Sequence, residues 1–290
     1  AGGAEQGFVG ESRWWFLEET MVLDVPGHYI EHRNSADRVE WRQFLNLMLR
    51  YRKQQPINGV VLTLSAESLL QQSEDESRTQ AAHLRERMDD LVQRLGVNYP
   101  VYVMITKCDQ IQGLVKFFEL FPSDVLSQAM GVMNTRYAEQ GVPEKFLQRA
   151  FSRLGRRLDR LRLALIGNAD PLQLDAKALV FPEEFKSLQQ RLEIMVKLIF
   201  EKRSYHESPY FRGLYFSSAL QEGQPFSKLL EKIGYAEENI SLPGGNLSFF
   251  LRDFFGKVLR SDKNLVAPTR RTLNFRQLTQ NVGALAWIAF

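Results

Sequence analysis

One cysteine, Cys108, and four histidines are all that 290 residues supply of the usual thiol and imidazole chemistry. A lone cysteine excludes an internal disulfide framework and suits a reducing compartment. His28, His32, His83 and His206 have no metal-ligand spacing, and no Ser-His-Asp or paired-carboxylate arrangement can be argued from the residues. The formal net charge is only +3, so composition makes no case for nucleic acid as a partner. No apolar run reaches the length of about 18 residues that a membrane helix needs, so nothing spans a bilayer as it stands. There is no internal repeat and no low-complexity tract. Also missing is a G-x-x-x-x-G-K-[S/T] loop, whose lysine and backbone N–H groups would cradle the β- and γ-phosphates of a nucleotide. Gly2, Gly3, Gly7 and Gly10 do not replace it, because neither a preceding strand nor a following lysine frames them.

What is present suits a globular α/β chain. At 44% hydrophobic and 24% charged residues, the composition supports one large domain or two smaller ones with a substantial core. Trp14–Phe16 and Met21–Leu23, separated by Glu18, Glu19 and Thr20, predict a hairpin. Gly59–Leu64, Pro100–Ile105 and Gly213–Phe216 are short apolar runs bounded by Gly or Pro, as buried parallel strands require. Helical patterns alternate with them. Trp41, Phe44, Leu45 and Met48 share one face, and Leu84, Met88, Leu91 and Leu95 share another, with Gly96 placed as a C-cap. Residues 71–77 are the most polar stretch and read as an exposed loop or a helix start.

Two strand ends carry the chemistry. Pro100–Ile105 runs into Thr106-Lys107-Cys108-Asp109, a [N/T]-K-x-D pattern. There an aspartate carboxylate can accept from the N1–H and N2–H₂ of guanine while a lysine stem packs over the purine. Met21–Leu23 runs into Asp24-Val25-Pro26-Gly27, a D-x-x-G pattern. Its aspartate would hold the water shell of a magnesium ion, and its glycine N–H would approach a γ-phosphate. Ser217-Ser218-Ala219, directly after Tyr215-Phe216, is a small-residue loop able to offer N–H groups to a base carbonyl. The candidate nucleotide residues are therefore Asp24, Gly27, Thr106, Lys107, Asp109, Ser217, Ser218 and Ala219, with Asp24 also the candidate magnesium residue. His28 reads either as a surface histidine or as a water-positioning residue beside Gly27. Without the phosphate loop, GTP or ATP with magnesium is not expected to bind this chain tightly. No catalytic residue is assigned.

The expected fold is a doubly wound, mostly parallel α/β sheet of the GTPase-like (P-loop NTPase) type, incomplete at its N-terminal side. The expected units are residues 1–110 as the α/β core lacking the phosphate-binding loop, 111–208 as an inserted helical subdomain without strands, 209–260 as the last core strand and helix, and 261–290 as a linker into the start of a transmembrane helix. Within the insertion, Phe146, Ala150, Leu154, Leu158, Leu161 and Leu165 form one stripe, and Phe185, Leu188, Leu192, Met195 and Ile199 another. Opposite the first lie Arg149, Arg153, Arg156, Arg157, Arg160 and Arg162, which read as a solvated helix face or as a basic docking surface for a partner or anionic headgroups. Phe249–Phe255 predicts a further helix. Arg270, Arg271 and Arg276 precede the apolar residues 282–290, a pattern that reads as the cytoplasmic flank of a membrane helix cut off in mid-span, with a C-terminal core helix as the alternative.

Read together, these segments resemble the TssM/IcmF family of inner-membrane proteins from type VI secretion systems. Trp14-Trp15-Phe16 and Val22–Tyr29 resemble the family's W-W-F and strand-D-T-A-G-x-Y elements. Arg50-Tyr51-Arg52 with Gln55–Val60 resembles R-Y-R-x-x-Q-P-I-N-G-V, and Arg212–Ser218 with Gln221-Glu222-Gly223 resembles R-G-x-Y-F-x-S-x-x-Q-E-G. Leu84–Arg87 and Pro100–Asp109 continue the likeness in order, over a span of about 8 to 260. Asp24-Val25-Pro26-Gly27 departs from the family's D-T-A-G by losing the threonine, and Phe8–Glu11 stands where G-G-T-R would lie. The resemblance implies a cytoplasmic domain of a bacterial inner-membrane protein, cut before a third membrane helix. It implies partners: a TssL-like inner-membrane protein, a baseplate protein such as TssK, the TssJ lipoprotein through a periplasmic region outside this chain, and further copies of the protein itself. It implies a structural role in the secretion membrane complex with a vestigial or regulatory nucleotide site. The alternatives are a GTP- or ATP-hydrolysing switch that drives assembly, and the related IcmF protein of a type IVB system.

Overall fold

The computed structural model describes residues 7–9, 12–17, 20–31, 35–136, 143–168, 175–201, 207–219, 249–262 and 264–274. His32, His206, Arg276, residues 221–223, 243–245 and 282–290, and the opening glycines Gly2 and Gly3 lie outside them.

The expected hairpin is present. β2 (Ser12–Phe16) pairs antiparallel with β3 (Met21–Asp24) in the register Trp14↔Leu23, and β1 (Gly7–Val9) flanks β2. These strands form a three-stranded sheet of their own. The main sheet has four strands in the order β4-β6-β8-β7. β4 (Val60–Ser65), β6 (Pro100–Thr106) and β8 (Tyr210–Phe216) run parallel, as their near-continuous apolar character dictates. β7 (Met130–Met133) joins β8 antiparallel and makes the sheet mixed. β5 (Val97–Asn98) and β9 (Ala267–Pro268) form a two-residue ladder beside it.

β7 corrects the expectation that 111–208 contains no strand. Four residues, Met130-Gly131-Val132-Met133, are too few to show alternation. Tertiary pairing decides the matter, and Gly131 allows it: a Cβ there would run into the Tyr215 ring and the Leu214 carbonyl.

The helices follow their apolar spacing. α1 (His28–Glu31) and α2 (Ser35–Tyr51) come first, and α2 buries Trp41 and Leu45. α3 (Ala66–Gln71) leads into α4 (Glu74–Leu95), whose start is fixed by a capping box. Ser73 Oγ accepts from the Glu76 N–H at 3.2 Å while Glu76 Oε2 accepts from the Ser73 N–H at 2.7 Å. Gly96 ends α4 at φ 65°, its N–H donating to Val92 O. After α5 (Leu114–Phe118) and α6 (Ser123–Ser127), the long α7 (Pro143–Asn168) and α8 (Ala176–Phe200) pack on the main sheet. Their stripes share one core with the strands: Phe151, Phe185 and Phe216 meet there, with the Phe185 and Phe216 rings 4.8 Å apart. Val101, Val103 and Ile105 of β6 face this core, whereas Tyr102 and Met104 face a smaller one with Tyr215 and Phe254. The chain is thus α/β, with a mixed sheet covered on both faces.

The helix expected over Phe249–Phe255 begins later. Phe249 forms a bridge with Ser218, Phe250 sits at φ 65°, and helical turns start at Arg252, with a π-helical turn over Phe254–Val258.

Candidate functional site

Because β4, β6 and β8 are parallel and in register, their carboxyl ends lie side by side. Ser65 stands opposite Thr106, and Ile105 opposite Phe216. In parallel α/β sheets this edge is where ligands bind. Five of the eight sequence-assigned residues meet there: Thr106, Lys107 and Asp109 from β6, and Ser217 and Ser218 from β8. Ala219 follows immediately and is exposed.

The two loops are bonded to each other. The Cys108 N–H donates to Ser217 O at 3.1 Å and the Ser217 N–H to Ile105 O at 2.8 Å. Ser218 Oγ donates a short hydrogen bond to Asp109 Oδ1. Ser218 is pinned in turn by Phe249, whose N–H donates to Ser218 O at 2.7 Å and whose carbonyl accepts from the Ser218 N–H at 3.3 Å. Asp109 is 1% exposed and its Oδ2 has no hydrogen-bond partner. Burial pushes its carboxyl above the usual carboxylate range, and the Ser218 hydroxyl works against that rise without cancelling it. Ser65 Oγ, on the same edge, is a second buried polar atom without a partner. Cys108 is fully buried, and burial drives its thiol far up, so it is a packed residue and not a nucleophile.

Lys107 behaves differently. Its backbone is left-handed at φ 54°, which turns the side chain outward, where Nζ pairs with Glu67 at 3.3 Å. Asp24 and Gly27 are not brought to this edge by any ladder or hydrogen bond among the described residues. Asp24 ends β3 in the separate sheet, and both residues are exposed. The Gly27 carbonyl accepts from the Ile30 N–H at 2.9 Å and so starts α1. Among the described residues no group of three or more His, Cys, Asp and Glu side chains is placed to hold a metal ion.

A guanine base needs both carboxylate oxygens of the reading aspartate turned toward it. The geometry meets this halfway: Oδ2 lacks a partner, but Oδ1 carries the Ser218 hydroxyl and the side chain is enclosed. In this arrangement the edge is latched shut.

Sequence reading missed a second polar cluster, on the opposite face of the sheet. Arg212 forms a fork–fork pair with Asp262, at 2.6 Å and 2.9 Å, and also donates to Asn134 O at 2.6 Å. Tyr102 donates its hydroxyl to the same carboxylate at 2.7 Å. Burial alone would raise the Asp262 carboxyl, but the hydrogen bonds from Arg212 and Tyr102 outweigh it and hold the group below its usual range. Asp262 lies 50 residues beyond Arg212, so no local signal could have joined them. Its bonds stay within the protein, and it clamps the 254–262 segment to the sheet.

The sequence model of the IcmF-related N-terminal domain matches residues 34–287. The type VI secretion system component TssM1 of Pseudomonas aeruginosa is 32% identical over 301 aligned positions, covering 98% of this chain. The chain spans only 27% of that relative's length. No solved structure matches it. No helix among the described residues is long and apolar enough to cross a membrane.

Proposed function

We propose that this chain, which belongs to the TssM/IcmF family of type VI secretion components, is a docking scaffold of the secretion membrane complex built on a GTPase-shaped sheet whose base edge is latched. In this reading it lies on the cytoplasmic side of the inner membrane as part of a longer protein. Its partners there are a TssL-like membrane protein, a TssK-like baseplate protein and further copies of itself, while a TssJ-like lipoprotein meets another region. The order of elements supports the GTPase-like comparison: a hairpin ending in Asp24, then parallel strands ending in Thr106–Asp109 and in Ser217–Ala219. The observation that carries the scaffold reading is the enclosure of Asp109 under Ser218. A guanine-reading carboxylate spent on an internal bond has exchanged recognition for structure. No phosphate loop among these residues supplies the anion-binding energy that would reopen it.

A second reading rests on the unpartnered Asp109 Oδ2. It makes the latch regulatory: GTP or ATP with magnesium, held partly by Asp24 and Gly27, displaces the Ser218 hydroxyl and takes both oxygens.

Titration of labelled GTP and ATP with magnesium into the full-length protein, alongside co-purification with its TssL-like and TssK-like neighbours, separates the two. Co-purification without saturable binding at high-micromolar nucleotide is the result expected. Saturable binding that is lost in Asp24→Ala would replace the scaffold with the switch.

A further inference from the structure

The outer face of α7 carries charge almost entirely of one sign. Residues 143–168 contain seven basic and two acidic side chains, a net +5 against +3 for the whole chain. Both acids are consumed by neighbours. Asp159 binds Arg162 at 3.0 Å and Lys186 at 3.2 Å, and Glu144 binds Lys197 at 3.2 Å. Arg149, Arg153, Arg156, Arg157 and Arg160 are exposed on the face opposite the buried stripe. Within 4 Å of these five there is no carboxylate among the described residues; Arg149 reaches only Lys145 O and Arg156 only Ser152 Oγ. Like charges at i+3 and i+4 destabilise a helix, so solvation alone does not account for five arginines stacked this way. At the C-terminal end of the helix Leu163 is 67% exposed and Ile166 51%.

We propose that this stripe docks an acidic helical segment of a partner protein, with the exposed Leu163–Ile166 end as its apolar anchor. Three features favour a helix over an anionic membrane. First, the charge is one helix wide: the exposed residues of the adjacent α8 are mixed, among them Glu183, Gln190 and Lys197. Second, the apolar face of α7 is already committed to the core through Phe146, Ala150, Leu154 and Leu158, so the helix cannot sink into an acyl boundary. Third, all five charges are arginines, whose planar forks bind carboxylates in pairs at fixed spacing. From Arg149 to Arg160 the stripe runs about 17 Å, three turns of a partner helix. A charged run ending in exposed aliphatics is also the arrangement of an interface with a rim and an anchor.

This inference rests on the docking reading above in naming one of its surfaces, and its test does not pass through that reading's co-purification. The probe is a synthetic helical peptide with glutamates at i, i+4, i+7 and i+11 and two leucines at its end, titrated by fluorescence anisotropy into the 290-residue chain. Arg153→Glu/Arg157→Glu/Arg160→Glu should weaken binding about tenfold or more. Arg38→Glu/Arg42→Glu/Arg94→Glu, the same charge change at exposed arginines elsewhere, should weaken it less than about threefold. Every replaced side chain is exposed, so circular dichroism and melting should show both variants folded. Equal loss in the two variants, or no binding by the native chain, overturns the proposal. So does stripe-dependent binding to phosphatidylglycerol–phosphatidylethanolamine vesicles without binding to the peptide, which would make the surface a membrane contact.

Discussion

Ser218→Ala is the perturbation that decides whether the Asp109 edge is latched. Among the described residues the Ser218 hydroxyl is the one side-chain donor to the Asp109 carboxylate, beside Asp109's own backbone N–H; Oδ2 has no partner, and Asp109 is 1% exposed. Hydrogen bonds to buried charged groups contribute about 1.5–3 kcal/mol. Removing this one leaves the buried carboxylate only its own backbone N–H, so a loss of about 2 kcal/mol is expected at neutral pH. The pH dependence has a definite sign. The folded-state value of Asp109 lies above its ordinary 3.8, so the folded chain holds the proton where the unfolded chain has released it. Stability from this group is therefore full below the ordinary value and lost as pH rises through the raised one. Ser218 works against the rise, and its removal enlarges it. The destabilisation by Ser218→Ala should consequently be larger in melts at about pH 8 than in melts at about pH 5. Asp109→Asn removes the charge while keeping an oxygen for the Ser218 hydroxyl, and it should be neutral or stabilising at pH 8. Urea melts of the three proteins at both pH values measure all of this. A Ser218→Ala variant as stable as the native chain at pH 8 would mean that water solvates the carboxylate. The edge would then be open, and the latch refuted.

The packing sets the size of other losses. Asp262→Ala leaves the Arg212 guanidinium buried without its carboxylate and should cost about 3–5 kcal/mol by urea denaturation, whereas Tyr102→Phe should cost about 1 kcal/mol. A double-mutant cycle should show strong coupling between the two. Because Asp262 is held below its usual range, its stabilisation is present at neutral pH and is lost as pH falls through the folded-state value; Asp262→Asn should abolish that acid-side slope. Gly113→Ala should destabilise by roughly 3 kcal/mol, since φ is +81° and the new Cβ would meet the Lys177 carbonyl. Gly27→Ala, with nothing within 4 Å, should change stability by less than about 0.5 kcal/mol in the same melts.

Much of the fold was legible because its signals are local and repeated. The parallel strands announce themselves as apolar runs, and α4 declares both ends, Ser73 with Glu76 at one and Gly96 at the other. α7 and α8 could be placed from stripes several turns long. What escaped depends on neighbours distant in sequence. β7 exists because Gly131 lets the Tyr215 ring approach, and nothing within four residues encodes that contact. The aromatics of Phe249–Phe255 suit one helical face and so predict a single helix. Yet Phe249 is drawn into a bridge with Ser218, and the left-handed turn at Phe250 delays the helix to Arg252.

The same bridge explains why the site was only half legible. The T-K-x-D pattern specifies which side chains stand at the end of β6, and parallel pairing with β8 brings Ser217 and Ser218 beside them, as the order of motifs implied. A motif specifies identity and spacing but not exposure. Whether the Asp109 carboxylate faces a ligand or the interior is set by a hydroxyl 109 residues away. That hydroxyl is held in place by backbone bonds from Phe249, in a segment that carries no nucleotide signature at all. Movement of Phe249 would free Ser218, and freeing Ser218 would release Asp109 Oδ1. Any displacement of the 249–262 segment, which the Arg212–Asp262 clamp ties to the same sheet, would therefore act on the Ser218–Asp109 bond at its carboxyl edge.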